Sequence, residues 1–209
     1  VSTVSVPRTL GARTVLADQL IGRRTLLTNL ALIGAGAALV ALLAQVEIPM
    51  WPVPITGQTL GVMLVGATLG AWRGAAALTT YLVAGLAGLP VFAGFTGGIA
   101  SVGKPSFGFI IGFIFAAFVV GWLAERNWDR RPLTSLLAFL GASIIPFLFG
   151  VPYMWLMLEQ LGTSMNFGLA MEYGVTPFIL GGIVKWLLAA AALPLAWKGV
   201  KALERRNEQ

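Results

Sequence analysis

Long apolar runs, broken by short polar or kinked segments, set the rhythm of this chain. No charged residue interrupts Thr25 to Val46, Ile48 to Trp72, Gly74 to Gly103, Pro105 to Ala124 or Pro132 to Leu158. Each run reaches or exceeds the roughly 20 residues that a helix needs to cross a hydrocarbon core. From Tyr173 to Trp197 the only charge is Lys185. IPMWPVPIT, Ile48 to Thr56, packs Pro49, Pro52 and Pro54 together and must bend, because proline removes a donor and clashes with the preceding turn. PVFAGFTGGIASVGKPS, between Leu89 and Phe107, is too rich in Gly, Pro and Ser for a helix. Six spans are therefore expected: Thr25–Val46, about Ile55–Trp72 ending at Arg73 and Gly74, Ala75–Leu89, Phe107–Ala124, Pro132–Leu158 bent at Pro146 and Pro152, and Thr176–Lys198.

The basic residues orient these spans, since Lys and Arg beside a span tend to remain in the cytoplasm. With the N-terminus inside, Arg8, Arg13, Arg23, Arg24, Arg73, Arg126, Arg130, Arg131, Lys198, Lys201, Arg205 and Arg206 all fall on that side. Only Lys104, in an outer loop, and Lys185, within the last span, are left over. Both termini are thus expected in the cytoplasm. The net charge of +6 becomes a topology signal rather than a nucleic-acid signal. Residues 1–24 read as a basic, mildly amphipathic lead-in lying along the membrane surface rather than a cleaved signal. Residues 25–198 form the membrane domain and 199–209 a short basic tail.

Composition agrees: 57% of residues are hydrophobic and 11% charged, well below the roughly 25% charged of a soluble domain. The fold class expected is an all-α, multi-pass membrane protein. Absences narrow the chemistry further. Without His or Cys there is no thiolate or imidazole metal site and no Ser-His dyad, and the two aspartates, Asp18 and Asp129, lie outside the spans. No GxxxxGK[ST] segment is present to hold ATP. Binding, transport or scaffolding remain, with no cofactor.

Irregular backbone near membrane depth survives where protein or a watery cavity satisfies it, so the two outer loops are candidate site elements. The first offers Thr56, Gln58 and Thr59; the second offers Phe92, Thr96, Gly97, Gly98, Ser101, Lys104 and Ser106. Together they suit the cap of a small-molecule pocket, mostly apolar with few polar anchors. Each has a structural reading beside the functional one. Thr56, Gln58 and Thr59 also suit the cap of the second span, the glycines a tight turn, and Lys104 a solvated loop charge. Lys185, roughly 12 Å from a helix start near Pro177, lies near mid-membrane, where a lysine costs roughly 2.5–3.5 kcal/mol. It is either a ligand anchor or a structural partner, for instance of Glu47. The spacings Ala31/Ala35, Gly34/Ala38 and Ala37/Ala41 suit close helix packing.

The strings AQVEIPMWPVPITGQTLGVML, GLPVFAGFTGG, KPSFGFIIGF and LAER (Leu123–Arg126), in this order, resemble the BioY family, the biotin-specific S components of energy-coupling factor transporters. The resemblance runs from about Val15 to Val200. It implies a six-helix S-component bundle in the bacterial cytoplasmic membrane and a high-affinity biotin site open to the outside. It also implies a partner module of one transmembrane coupling protein and two ATPases, docked through alanine-rich spacing on the first span (Ala31, Ala35, Ala38, Ala41). The family's last helix carries an aspartate three residues before its lysine; here PFILGGIVK matches the lysine with Lys185 and has Gly182 in place of the acid. KPSFG likewise varies the family's GPTGG-like segment. The alternative is a transporter or channel acting alone, or as an oligomer, on another small molecule.

Overall fold

The computed structural model describes residues 15–21 and 25–207. Arg8, Arg13, Arg23 and Arg24, and the side chains of Lys201, Arg205 and Arg206, lie outside the described residues. The described chain is mostly helical: α1 (Leu16–Ile21), α2 (Leu26–Ala44), α3 (Gln58–Leu69), α4 (Ala71–Leu86), α5 (Phe107–Ala124), α6 (Pro132–Gln160), α7 (Phe167–Gly174) and α8 (Phe178–Asn207). Two strands, β1 (Glu47–Ile48) and β2 (Ile55–Thr56), pair antiparallel across the proline-rich bend, with Glu47 opposite Thr56. Four helices, α2, α5, α6 and α8, are long and apolar enough to cross a membrane.

Local chemistry sets the ends. Thr25 caps α2 by accepting from the Thr28 amide at 3.1 Å, and Asn166 caps α7 by accepting from Leu169 N at 3.0 Å. Pro132 opens α6 at a position where its missing N–H costs nothing. α5 is apolar on every side and is buried accordingly, packed on α3, α4 and α6. Glycines let it approach. A Cβ on Gly112 would lie 2.6 Å from Pro146 Cα, and one on Gly66 would lie 2.6 Å from the Ala117 carbonyl oxygen. The periphery is apolar too: Leu26, Leu27 and Leu42 of α2 and Leu180, Leu187 and Leu195 of α8 all face outward. A surface of that kind is covered by lipid in a membrane protein.

Several boundaries differ from expectation. The second and third helices part at Gly70, not at Arg73 and Gly74. Gly70 takes φ +87°, a left-handed conformation open to glycine, and α4 restarts at Ala71. Arg73 therefore lies inside α4, where its guanidinium reaches Asp18 at 2.7 Å and the Leu69 carbonyl at 2.8 Å. The described part of the lead-in packs on the protein: Val15, Leu16 and Ala17 are buried, Leu16 against Trp197 and Val200. α6 runs unbroken through Pro146 and Pro152. α7 was not expected, and α8 continues past Lys198 to Asn207. The Leu89–Phe107 segment holds two short 3₁₀ turns, Ala93–Phe95 and Ile99–Gly103, and no α-helix.

Candidate functional site

Where the two loops meet the starts of α3, α5 and α8 they enclose a cavity of about 350 Å³, within the usual range for small-molecule pockets of roughly 300–1,000 Å³. Its walls are largely apolar: Trp51, Pro52 and Val53 from the proline bend, Phe92 from the second loop, Phe107, Phe109, Ile110 and Phe113 from α5, Pro146 and Phe147 from α6, and Phe178 from α8. Phe109, Phe147 and Phe178 contact one another with ring centroids 5.7–6.0 Å apart. Such aromatic contacts fix the rings in place.

The polar groups gather in two clusters. In the first, Lys185 Nζ donates to the Thr56 carbonyl at 2.5 Å and to Thr59 Oγ1 at 2.9 Å. The lysine thus ties α8 to the end of β2 and the first turn of α3, and it forms no pair with Glu47. Thr56 Oγ1 donates to Gln58 Oε1 at 2.8 Å and accepts from the Gln58 amide at 3.3 Å, while Gln58 Nε2 donates to Tyr81 Oη at 2.7 Å. Thr56 and Gln58 are buried, so this chain of bonds removes the penalty of polar groups without partners. The cap position of α3 is Gly57, with no side-chain capping bond; Thr56 holds the Gln58 amide just inside the helix and also lines the cavity.

The second cluster comes from the other loop. Lys104 Nζ donates to Thr96 Oγ1 at 3.0 Å, and Thr96, Ser101, Lys104 and Ser106 all line the cavity. Gly97, Gly98 and Gly182 do not line it. A Cβ on Gly97 would sit 2.2 Å from the Leu89 carbonyl, and Gly98 has φ +85°, so both shape the turn behind Phe92 and Thr96. Gly182 faces the Trp186 ring, which a Cβ there would meet at 3.3 Å.

Two residues that position the site escaped the sequence reading. Tyr81, buried in α4, closes the Gln58 chain and meets Phe92 edge-on at 5.4 Å. Gln45, just past α2, accepts from Phe95 N at 2.9 Å and donates to the carbonyls of Val91 and Phe92 at 3.4 and 3.2 Å, which pins the second loop. The available signal was a tyrosine within α4 and a glutamine closing the apolar run of α2. Away from the site, the small residues of α2 divide. Ala31, Gly34, Ala35 and Ala38 face outward, Ala41 is half-buried, and Ala37 packs inside.

Comparison with known proteins gives one answer. Residues 14–202 match the BioY family. The chain is similar to the biotin transporter BioY of Rhizobium etli, 37% identical over 168 residues covering 77% of this chain and 86% of that one. It is similar also to the biotin transporter BioY of Rhodobacter capsulatus, 41% identical over 167 residues covering 75% and 86%. Among solved structures it resembles the S-component for biotin from an ECF-type ABC transporter, with a TM-score of 0.68 and 25% identity over 84% of this chain and 95% of that chain. By matched length and identity, the chain belongs to the BioY family.

Proposed function

We propose that this protein is the membrane-embedded, high-affinity biotin-binding component of an energy-coupling factor transporter. The observation that carries the reading is the loop-capped cavity. It has the volume of a small-molecule site, aromatic walls for an apolar body, and polar clusters from separate loops for a ligand with two hydrogen-bonding groups. Biotin, a fused ureido-thiophane ring bearing a carboxylate chain, has that character. The relatives named for biotin transport support the same ligand, and the role is transport rather than catalysis.

In this reading the bundle is multi-pass in the bacterial cytoplasmic membrane, with both termini in the cytoplasm and the cavity facing outside. α2, α3, α4, α5, α6 and α8 are its six spans. α3 and α4, at 12 and 16 residues, climb about 18 and 24 Å and are the two shorter ones. Residues 25–198 are the membrane domain, residues 1–24 its cytoplasmic lead-in and 199–209 its cytoplasmic tail. Thr56, Gln58, Thr59, Phe92, Thr96, Ser106 and Lys185 contact the ligand, and Gly97, Gly98 and Gly182 leave room for the loops and the α8 helix around it. A transmembrane coupling protein and two ATPases drive uptake, docking on the outward small-residue face of α2 formed by Ala31, Ala35 and Ala38 beside Ala41, which allows close helix approach.

The test is equilibrium binding of tritiated biotin to the detergent-purified chain, followed by uptake in cells with and without the ATPase module. Saturable one-site binding, and uptake only with the module, are expected. A purified chain that binds no biotin overturns the ligand; uptake without ATPases overturns the division of labour.

A further inference from the structure

We infer that the outer cluster of the cavity, Lys104 with Ser101 and the first turn of α5, is a carboxylate subsite that sets the direction in which the ligand lies and selects acids over their neutral amides. The inference rests on the reading of the cavity as a biotin site and adds the residues that hold the ligand's charge.

Three observations converge. The cavity is lined by two lysines, Lys104 and Lys185, and by no aspartate or glutamate, so its electrostatics suit an anion. Ser101, only 4% exposed, lines the cavity with a buried hydroxyl that has no hydrogen-bond partner. Buried polar atoms are normally paired, and each exception asks for a reason; a ligand acceptor supplies one. The α5 helix begins at the same place. Its cap residue Ser106 lines the cavity and makes no side-chain capping bond; the Phe107 and Phe109 amides donate to the Lys104 and Ser106 carbonyls, so the helix end adds the field of its dipole beside the lysine rather than a row of free amides.

The two lysines are not equivalent. Lys185 already donates to two oxygens of its own chain. Lys104 donates to one neutral hydroxyl, Thr96 Oγ1, and has two further ammonium protons to give. Lys104 is also the exposed one of the pair. A carboxylate beside it keeps part of its hydration, whereas the same group at Lys185 would be stripped of water at a larger cost. The neutral ureido end, with one carbonyl acceptor and two N–H donors, then falls among Lys185, Thr56, Gln58 and Thr59, where both donors and acceptors are at hand.

The experiment measures tritiated-biotin binding, and competition by unlabelled biotin and biotin amide, on the parent chain and on Lys104→Met, Lys104→Arg and Ser101→Ala. Lys104→Met should weaken biotin by about tenfold and leave biotin amide within about twofold, erasing the preference for the acid. Lys104→Arg keeps the charge and should restore most of the biotin affinity. Ser101→Ala should weaken biotin severalfold and the amide less. If Lys104→Met leaves biotin binding intact, or weakens acid and amide equally, the subsite assignment is overturned while the biotin reading stands. If the parent chain binds neither compound, both fall.

Discussion

Replacing Lys185 by methionine keeps the length of the side chain and removes its charge and all three of its donors. In the structure that ammonium spans from α8 to the Thr56 carbonyl and the Thr59 hydroxyl, at 2.5 and 2.9 Å, on the cavity wall. Its remaining proton is the one a ligand carbonyl can take. A charge-assisted hydrogen bond of this kind contributes about 1.5–3 kcal/mol, and each 1.4 kcal/mol is about tenfold in affinity. Lys185→Met should therefore raise the dissociation constant for biotin by about ten- to a hundredfold. The assay is equilibrium binding of biotin and of biotin amide to purified protein, with a thermal-unfolding midpoint taken alongside to show that the variant is folded. With the ureido end against Lys185, both compounds lose affinity by the same factor. A loss confined to the acid would place the carboxylate at Lys185 and reverse the direction of the ligand. Unchanged affinity for both would refute the reasoning, leaving Lys185 as a tie between α8 and the start of α3.

Three further outcomes follow from other parts of the fold. Ala35→Trp and Ala38→Trp, on the outward face of α2, should abolish uptake and co-purification with the ATPase module while leaving biotin affinity within about twofold; loss of binding instead would move the coupling surface elsewhere. Single cysteines in this cysteine-free chain should label from the cytoplasm at Arg131 and from outside at Gly103, both exposed, and the reverse pattern would invert the proposed topology. Asp129, 3% exposed, accepts from Trp197 Nε1 at 2.5 Å and has Arg130 beside it, yet burial pushes its carboxyl above the ordinary range. The folded state then holds a proton that the unfolded chain has released. Stability should fall as pH rises from the ordinary carboxylate value through the raised one. Asp129→Asn, which keeps an acceptor for Trp197, should flatten that slope in a melting series, and a slope unchanged by the substitution would exclude Asp129 as its source.

How far the sequence exposes this structure depends on which physical signal each feature carries. The long helices α2, α5, α6 and α8 are legible because an uninterrupted apolar run has few other fates. The break between α3 and α4 is not. Leu69, Gly70 and Ala71 contain no polarity, and the chain turns there through the left-handed conformation of Gly70, while the nearest charge, Arg73, draws attention to the wrong place. Arg73 is tolerated within the helix because it reaches back to Leu69 and across to Asp18, contacts that only the tertiary fold reveals. α7 was hidden in a similar way: eight residues are too few for hydropathy to register, and its one signal was the capping Asn166. At the site, Thr56, Gln58, Thr59, Phe92, Thr96, Ser106 and Lys185 were legible as polar or aromatic groups on loops and in a span, and the structure brings them to one cavity. For Lys104 the two readings, solvated charge and site residue, could not be separated in the sequence, and the structure shows a residue that is exposed and also lines the cavity.

The contrast between the two halves of the cavity bears on how such a site opens. Its floor is built on helices held at close approach: α5 lies against α6 where Gly108 meets Tyr153 and Gly112 meets Pro146, and neither contact has room to slide by even a methyl group. The second loop of its cover is held by the buried Phe92 ring, by the Gly98 amide on the Gly85 carbonyl at 2.7 Å, and by a set of side-chain bonds. Gln45 holds the second loop through Val91, Phe92 and Phe95, the Tyr153 hydroxyl donates to the Val102 carbonyl, and Lys104 holds Thr96. These last bonds are part-buried or exposed side-chain contacts, each worth about 1 kcal/mol net. Releasing two or three of them costs far less than parting the helices. On the proposed reading, ligand entry is expected to displace the loop from Leu89 to Ser106 while the helical floor keeps its geometry. Of the side chains making those ties, Lys104 and Thr96 line the cavity, so a carboxylate held as inferred above would compete with Thr96 for the ammonium and link occupancy of the pocket to the state of its cover.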